Sequence, residues 1–172
     1  GRFYTLPANN LPGGRGMGEP LRLMIDLPNE AEVIAVFPWR EGEKYLLASK
    51  AGDGFVVAAG DILAQTKSGK QVLNGDALLC RAVSGDHVAV VGENRKLLVF
   101  PLTELPEMSR GKGVRLQKFK DGGLSDAICL TLADGLSWPM GGGKTRTEPD
   151  LSEWLGKRAT AGRMAPRGFP RD

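Results

Sequence analysis

Cysteine, histidine and aromatic residues are scarce in this sequence. Two cysteines and one histidine occur in 172 residues, and neither cysteine stands in a Cys-x-x-Cys pair or a histidine-rich stretch, which excludes the common zinc-ligand spacings. Cys80 and Cys129 lie in the apolar runs DALLCRAV and DAICLTL and read as reduced core residues. No apolar run approaches the ~20 residues that span a bilayer. The opening GRFYTLPANN also lacks the charged and apolar regions of a secretion signal, so a soluble, intracellular chain is expected. A catalytic constellation is missing as well. His87 has Asp86 beside it but no nucleophile arranged with it, and it reads as structural. The Asp and Glu residues are dispersed among turns, which supports neither a carboxylate metal site nor an acid/base pair. Gly141-Gly142-Gly143-Lys144-Thr145 imitates the end of a phosphate-binding loop, but Trp138 stands where that motif needs glycine and Pro149 stops any following helix. The stretch reads as a flexible linker.

What the sequence does have is turn formers between short apolar runs. It holds 24 glycines and 11 prolines, and these separate EVIAVF, KYLLAS, GFVVAA, HVAVV, KLLVF and DAICLTL, which are strand-like in length and β-branched content. Three hairpins are predicted: 45–49 with 55–59, 88–91 with 97–100, and 128–132 with 136–138 across Ala133-Asp134-Gly135. A leucine followed by small or basic residues and glycine recurs at 11–18, 63–70 and 105–113. Aligning these loops makes Gly16, Gly69 and Gly111 equivalent. Strand-only repeats of about 40–50 residues point to propeller-type blades, because one such unit cannot bury its apolar face alone. Residues 1–6 match the second strand of a hairpin whose first strand is missing, so the array is expected to be incomplete. Residues 1–148 are assigned to the blades. Residues 149–172 are read as a short helix, with Asp150 near its start and Leu151, Trp154 and Leu155 packed on the body, followed by an extended basic tail packed on the domain or trailing from it.

Charge is unevenly placed. Residues 26–66 carry seven acidic against three basic side chains, a stretch that repels a polyanion. Residues 95–120 carry seven basic against two acidic, and 144–172 seven against four. A polyanion is therefore expected on part of the surface only.

These loops and hairpins resemble the C-terminal repeats of type IIA topoisomerase A subunits. The resemblance rests on GRFYTLPANNLPGGRGMGEPLRLMIDL at 1–27, KYLLASKAGDGFVVAAGDILAQTKSGKQVL at 44–73, and residues 87–130. It implies an all-β, β-pinwheel fold that binds and bends duplex DNA on a basic rim. Gyrase members carry a Gln-Arg-Arg-Gly-Gly-Arg-Gly box for tight wrapping; in Leu11-Pro12-Gly13-Gly14-Arg15-Gly16-Met17 only its Gly-Arg-Gly part survives, which favours the topoisomerase IV branch. By the resemblance, Arg15, Lys67, Lys70, Arg110 and Lys112 occupy the DNA-contacting loops. Arg95, Lys96, Arg115, Lys118, Lys120 and Arg2 come next, on flanking strands. It further implies a bacterial, cytoplasmic, nucleoid-associated holoenzyme of A2B2 composition, in which the partners of this domain are the rest of the A subunit together with the B subunit that hydrolyses ATP. ATP and Mg2+ would be needed there, with no cofactor or catalytic residue in this domain. Two other readings fit the same residues: a gyrase-type wrapping domain, and a propeller that contacts proteins through its acidic segment.

Overall fold

The computed structural model describes residues 1–170. Its strands are β1 (Arg2–Phe3), β2 (Lys44–Ser49), β3 (Asp53–Ala58), β4 (Lys70–Gln71), β5 (Ala77–Ala82), β6 (His87–Gly92), β7 (Lys96–Pro101), β8 (Val114–Arg115), β9 (Leu124–Leu130), β10 (Leu136–Pro139), β11 (Thr145–Glu148) and β12 (Arg163–Met164). Only single 3-10 turns interrupt them, so the fold is all-β as expected. The strands form two four-stranded sheets, ordered β5-β2-β3-β8 and β12-β7-β6-β9, and two two-stranded sheets, β1-β4 and β10-β11. Every pairing within these sheets is antiparallel.

Burial on both faces explains why the sequence shows continuous apolar runs rather than alternation. Leu46, Ala48 and Val56 point from the first large sheet toward Val88, Val90, Leu98 and Phe100 of the second. On its far face Tyr45, Leu47, Phe55 and Val57 meet Val72, Leu73 and Phe3. The second large sheet turns Ala89, Leu97 and Val99 toward Leu136, Trp138, Leu151 and Trp154. Four sheets thus stack in chain order, and each contacts its neighbours. Both cysteines are free, and burial pushes the Cys80 thiol up to about 12.

The repeat holds at the level of topology. Hairpins β2-β3, β6-β7 and β10-β11 begin at residues 44, 87 and 136. Each of the two large sheets adds a third strand to the first strand of its hairpin, β5 on β2 and β9 on β6. Both additions carry a bulge at the same place, beside Ala48/Ser49 and beside Val91/Gly92. A two-residue strand closes the other edge after a loop: β4 on β1, β8 on β3, β12 on β7.

Three expectations need correction. The third hairpin is β10-β11 rather than 128–132 with 136–138. Here β9 ladders on β6, and the 3-10 turn Leu132–Asp134, ended by Gly135 at φ 74°, carries the chain into the next sheet. Second, EVIAVF forms no strand: residues 31–40 are irregular, with Val33, Ile34 and Val36 exposed. Among the described residues no strand ladders with 32–37. Third, the short helix is one 3-10 turn, Ser152–Trp154, with Leu151 and Trp154 buried but Leu155 exposed. The Asp150 carboxylate accepts from the Ser152 N–H and hydroxyl, which lowers its pKa below the usual carboxylate range. Of the two arrangements expected for the tail, packed or trailing, residues 158–170 take the packed one, through β12 and through tryptophan N–H groups, and 171–172 lie outside the described residues. Trp154 Nε1 donates to the Met164 carbonyl at 2.9 Å and Trp138 Nε1 to that of Gly168 at 3.1 Å.

Candidate nucleic-acid interface

The loops that end in β4, β8 and β12 hold the basic side chains at equivalent places of successive sheets. Glycine fixes their register. Gly69, Gly113 and Gly162 each immediately precede the edge strand, at φ of 78°, 82° and 76°. A Cβ there would overlap the carbonyl oxygens of Phe3, Gly54 and Leu97 respectively. Only glycine combines this left-handed conformation with so close an approach to the paired strand. The equivalence expected for Gly16, Gly69 and Gly111 therefore shifts to Gly69, Gly113 and Gly162. The loop at 11–18 is exposed throughout. It follows β1 as the others follow β3 and β7, and Gly18 at φ 72° holds the matching place in it.

The candidate cations fall into two groups. Arg15, Lys67, Arg110, Lys118 and Lys120 are exposed, and among the described residues none of them has a carboxylate within salt-bridge distance. Lys70 is half-buried in β4, and Lys96 is half-buried in β7. The others are held. Lys112 Nζ and Arg115 Nε lie 3.6 and 3.5 Å from the carboxylate of Asp53, an acid whose side chain is only 6% exposed. Arg115 also donates to the Ala51 carbonyl. Arg95, at φ 65° in the β6-β7 turn, donates to the Phe169 carbonyl at 3.2 Å, and Arg2 donates to that of Ser68 at 3.0 Å. Charge density alone overstated the free positive charge near 110–115, because Asp53 comes from about sixty residues away in sequence. A concavity of about 430 Å³ lies in the seam beside these loops, lined by Ala51, Arg115, Lys118, Phe119, Gly122 and Ala159.

The other candidates for chemistry have structural places. Asp86 accepts from His87 Nδ1 at 2.8 Å and from the Leu132 N–H at 2.9 Å, contacts that hold its carboxyl below the usual range and tie β6 to the turn after β9. Gly141, Gly142 and Gly143, all at positive φ, form the turn of the β10-β11 hairpin. Among the described residues no group of three or more His, Cys, Asp and Glu is placed to hold a metal ion, and no helix is long and apolar enough to cross a membrane.

Residues 86–124 match the family model described as the DNA gyrase C-terminal domain, beta-propeller. The chain is 47% identical to the A subunit of DNA topoisomerase 4 from Caulobacter vibrioides over 98% of its own length and 23% of that protein. It is 44% identical to the Rickettsia bellii counterpart, over 100% of its length and 24% of the relative. Among solved structures it superimposes on the E. coli ParC C-terminal domain with a TM-score of 0.78 at 26% identity, covering 95% of this chain and 71% of that one. The chain belongs to the family of topoisomerase IV ParC C-terminal domains. It spans about a quarter of the length of the curated relatives it matches. Within this family's fold the structure brings together Lys67, Lys70, Arg110, Lys112 and Arg115 at equivalent edges of neighbouring sheets, and leaves Arg15 on the first, unpaired loop. Composition missed a fourth loop, 155–163, whose basic residues were assigned to a tail. Its signal was present as Leu155-Gly156-Lys157-Arg158 followed by Gly162-Arg163, the leucine, basic and glycine order of the other three.

Proposed function

We propose that this domain binds and bends duplex DNA along its basic loop edge and presents it to the DNA-cleaving core of a type IIA topoisomerase, without cutting DNA itself. The observation that supports this most is the repetition of basic loops at one topological position, with Arg15, Lys67 and Arg110 exposed and, among the described residues, without a carboxylate within salt-bridge distance. Such side chains displace counterions from phosphates without reading bases. The work served is strand passage, relaxation and decatenation during chromosome segregation. Partners are the rest of the A subunit plus the B subunit that hydrolyses ATP, in an A2B2 assembly in the bacterial cytoplasm, at the nucleoid. ATP and Mg2+ belong to that assembly. Loops that share one edge bend a duplex over part of the rim, and the acidic 26–66 segment limits wrapping.

Fluorescence anisotropy with a linear duplex at several salt concentrations tests this. Five phosphate contacts would give a slope of log K on log salt of about −4.5. Changing Lys67 and Arg110 to Glu together should weaken binding to all sequences alike and flatten the slope by about 1.8. An unchanged affinity, or a flat salt response, removes the reading. A second reading has its own observation: Val33, Ile34 and Val36 are exposed in the irregular 31–40 stretch, an apolar surface suited to a protein contact. Salt-insensitive partner binding with no duplex retardation would favour it.

A further inference from the structure

The segment 155–164 follows the backbone bonding of the loop 107–115, with one residue inserted. Glu107 forms a parallel bridge with Val56, and Leu155 forms one with Val99. Next, Met108 N donates to the Val56 carbonyl and Gly156 N to the Val99 carbonyl, at 2.8 and 3.0 Å. Farther on, Gly111 donates to Val72 and accepts from Asn74, whereas Ala159 donates to Leu116 and Thr160 accepts from Lys118. One residue in the earlier loop does what two do in the later one. Ala159, one of two described non-glycine residues at positive φ, absorbs that insertion at 66°. Gly113 then matches Gly162, and β8 matches β12. No side-chain similarity is needed for this correspondence, since every step is a backbone bond.

We propose that Lys157 and Arg163 on this loop bind DNA phosphates, so that the C-terminal segment is a further DNA-contacting blade loop. Both side chains are exposed, and among the described residues neither has a carboxylate within salt-bridge distance. Arg158, between them in sequence, fixes the loop: its Nε donates to the Glu104 carbonyl at 3.1 Å, its Nη1 to the Arg115 carbonyl at 2.6 Å, and its backbone N–H to the Glu104 carboxylate at 3.1 Å. A guanidinium committed to two carbonyls is a positioning group, which leaves its neighbours for a ligand. The concavity holding Arg115 and Lys118 is bordered by Ala159 of the same loop, so the 155–163 loop adjoins the seam that these two cations line. A duplex crossing from loop 105–113 to loop 155–163 passes over that seam. The inference rests on the DNA-binding reading above and extends its footprint by one blade.

The test measures affinity of the full chain for a linear duplex across salt concentrations, in the unaltered protein, in Lys157→Gln/Arg163→Gln, and in Arg163→Glu and Arg40→Glu compared as single charge reversals. Arg40 is exposed in the acidic segment and controls for net charge. Unchanged tryptophan emission reports that Trp154 still holds Met164. The double variant should lose about tenfold or more in affinity near 0.1 M salt, with a slope flatter by about 1.8, while Arg40→Glu stays within about twofold. Equal losses in Arg163→Glu and Arg40→Glu, or a double variant within twofold of the unaltered chain, overturn the inference and leave the DNA-binding reading standing. If the unaltered chain itself binds no duplex, both fall.

Discussion

At the scale of single residues, the repeat is held by glycines that abut a neighbouring strand. Gly113 combines φ 82° with contact against Gly54, and Gly54 itself lies under the Leu47 carbonyl. Alanine at 113 would have to give up either the left-handed backbone or the approach of β8 to β3. A non-glycine residue forced into such a conformation costs about 1–3 kcal/mol, and the backbone overlap adds to it. Gly113→Ala should therefore lose at least about 2 kcal/mol in urea unfolding. Gly14→Ala, at φ 77° with open space around it, should lose only the conformational part, about 1–2 kcal/mol, and less than Gly113→Ala. Equal losses at the two positions would show that steric closeness to β3 is not what fixes the register.

At the scale of elements, what could be read from the sequence divides by where the information sits. The hairpins β2-β3 and β6-β7 were legible because both strands and the turn are local: KYLLAS and GFVVAA are joined by Lys50-Ala51-Gly52-Asp53, and their apolar residues fill both faces. Pairing of β9 with β6 was not, because a hairpin rule rewards the nearest strand, whereas Val88 meets Cys129 across forty residues. The basic loops at 63–70 and 105–113 were visible as composition. The fourth carries the same leucine, basic and glycine order but lies in an Ala-, Gly-, Pro- and Arg-rich stretch that reads as a tail, and its docking bonds come from backbone groups of Gly156, Ala159 and Thr160. One side chain does serve that docking. Gln117 is fully buried, and its Nε2 donates to the Lys96 carbonyl at 2.8 Å and the Ala161 carbonyl at 3.0 Å. Gln117→Ala removes both bonds and leaves two carbonyls unpaired, a loss of about 2–3 kcal/mol. Trypsin should then cut after Lys157 and Arg158 in the variant well before it cuts the unaltered chain. Equal cleavage rates would mean the loop is held without Gln117.

At the scale of the whole molecule, stacking of sheets dictates how stability is distributed. A unit that touches only its neighbours behaves nearly one-dimensionally, with ends that open more easily than the middle. The two large sheets are covered on both faces and share Leu46, Val56, Val88, Leu98 and Phe100. The two-stranded sheets β1-β4 and β10-β11 have fewer ladder bonds and lie at the ends of the stack. Amide hydrogen exchange should therefore be slowest in β2, β3, β6 and β7 and faster in β4 and β11. Phe100 is fully buried in the shared layer, and Phe100→Ala should cost about 3–5 kcal/mol. If the two large sheets form one cooperative unit, that loss lowers protection in β2-β3 and β6-β7 together, although Phe100 belongs to β7 alone. Loss confined to β6-β7 would show that the sheets open independently and that the shared layer does not couple them. Coupling matters for the proposed interface, because loops 63–70, 105–113 and 155–163 hang on different sheets. They can hold one bent duplex at fixed spacing only while those sheets stay locked together.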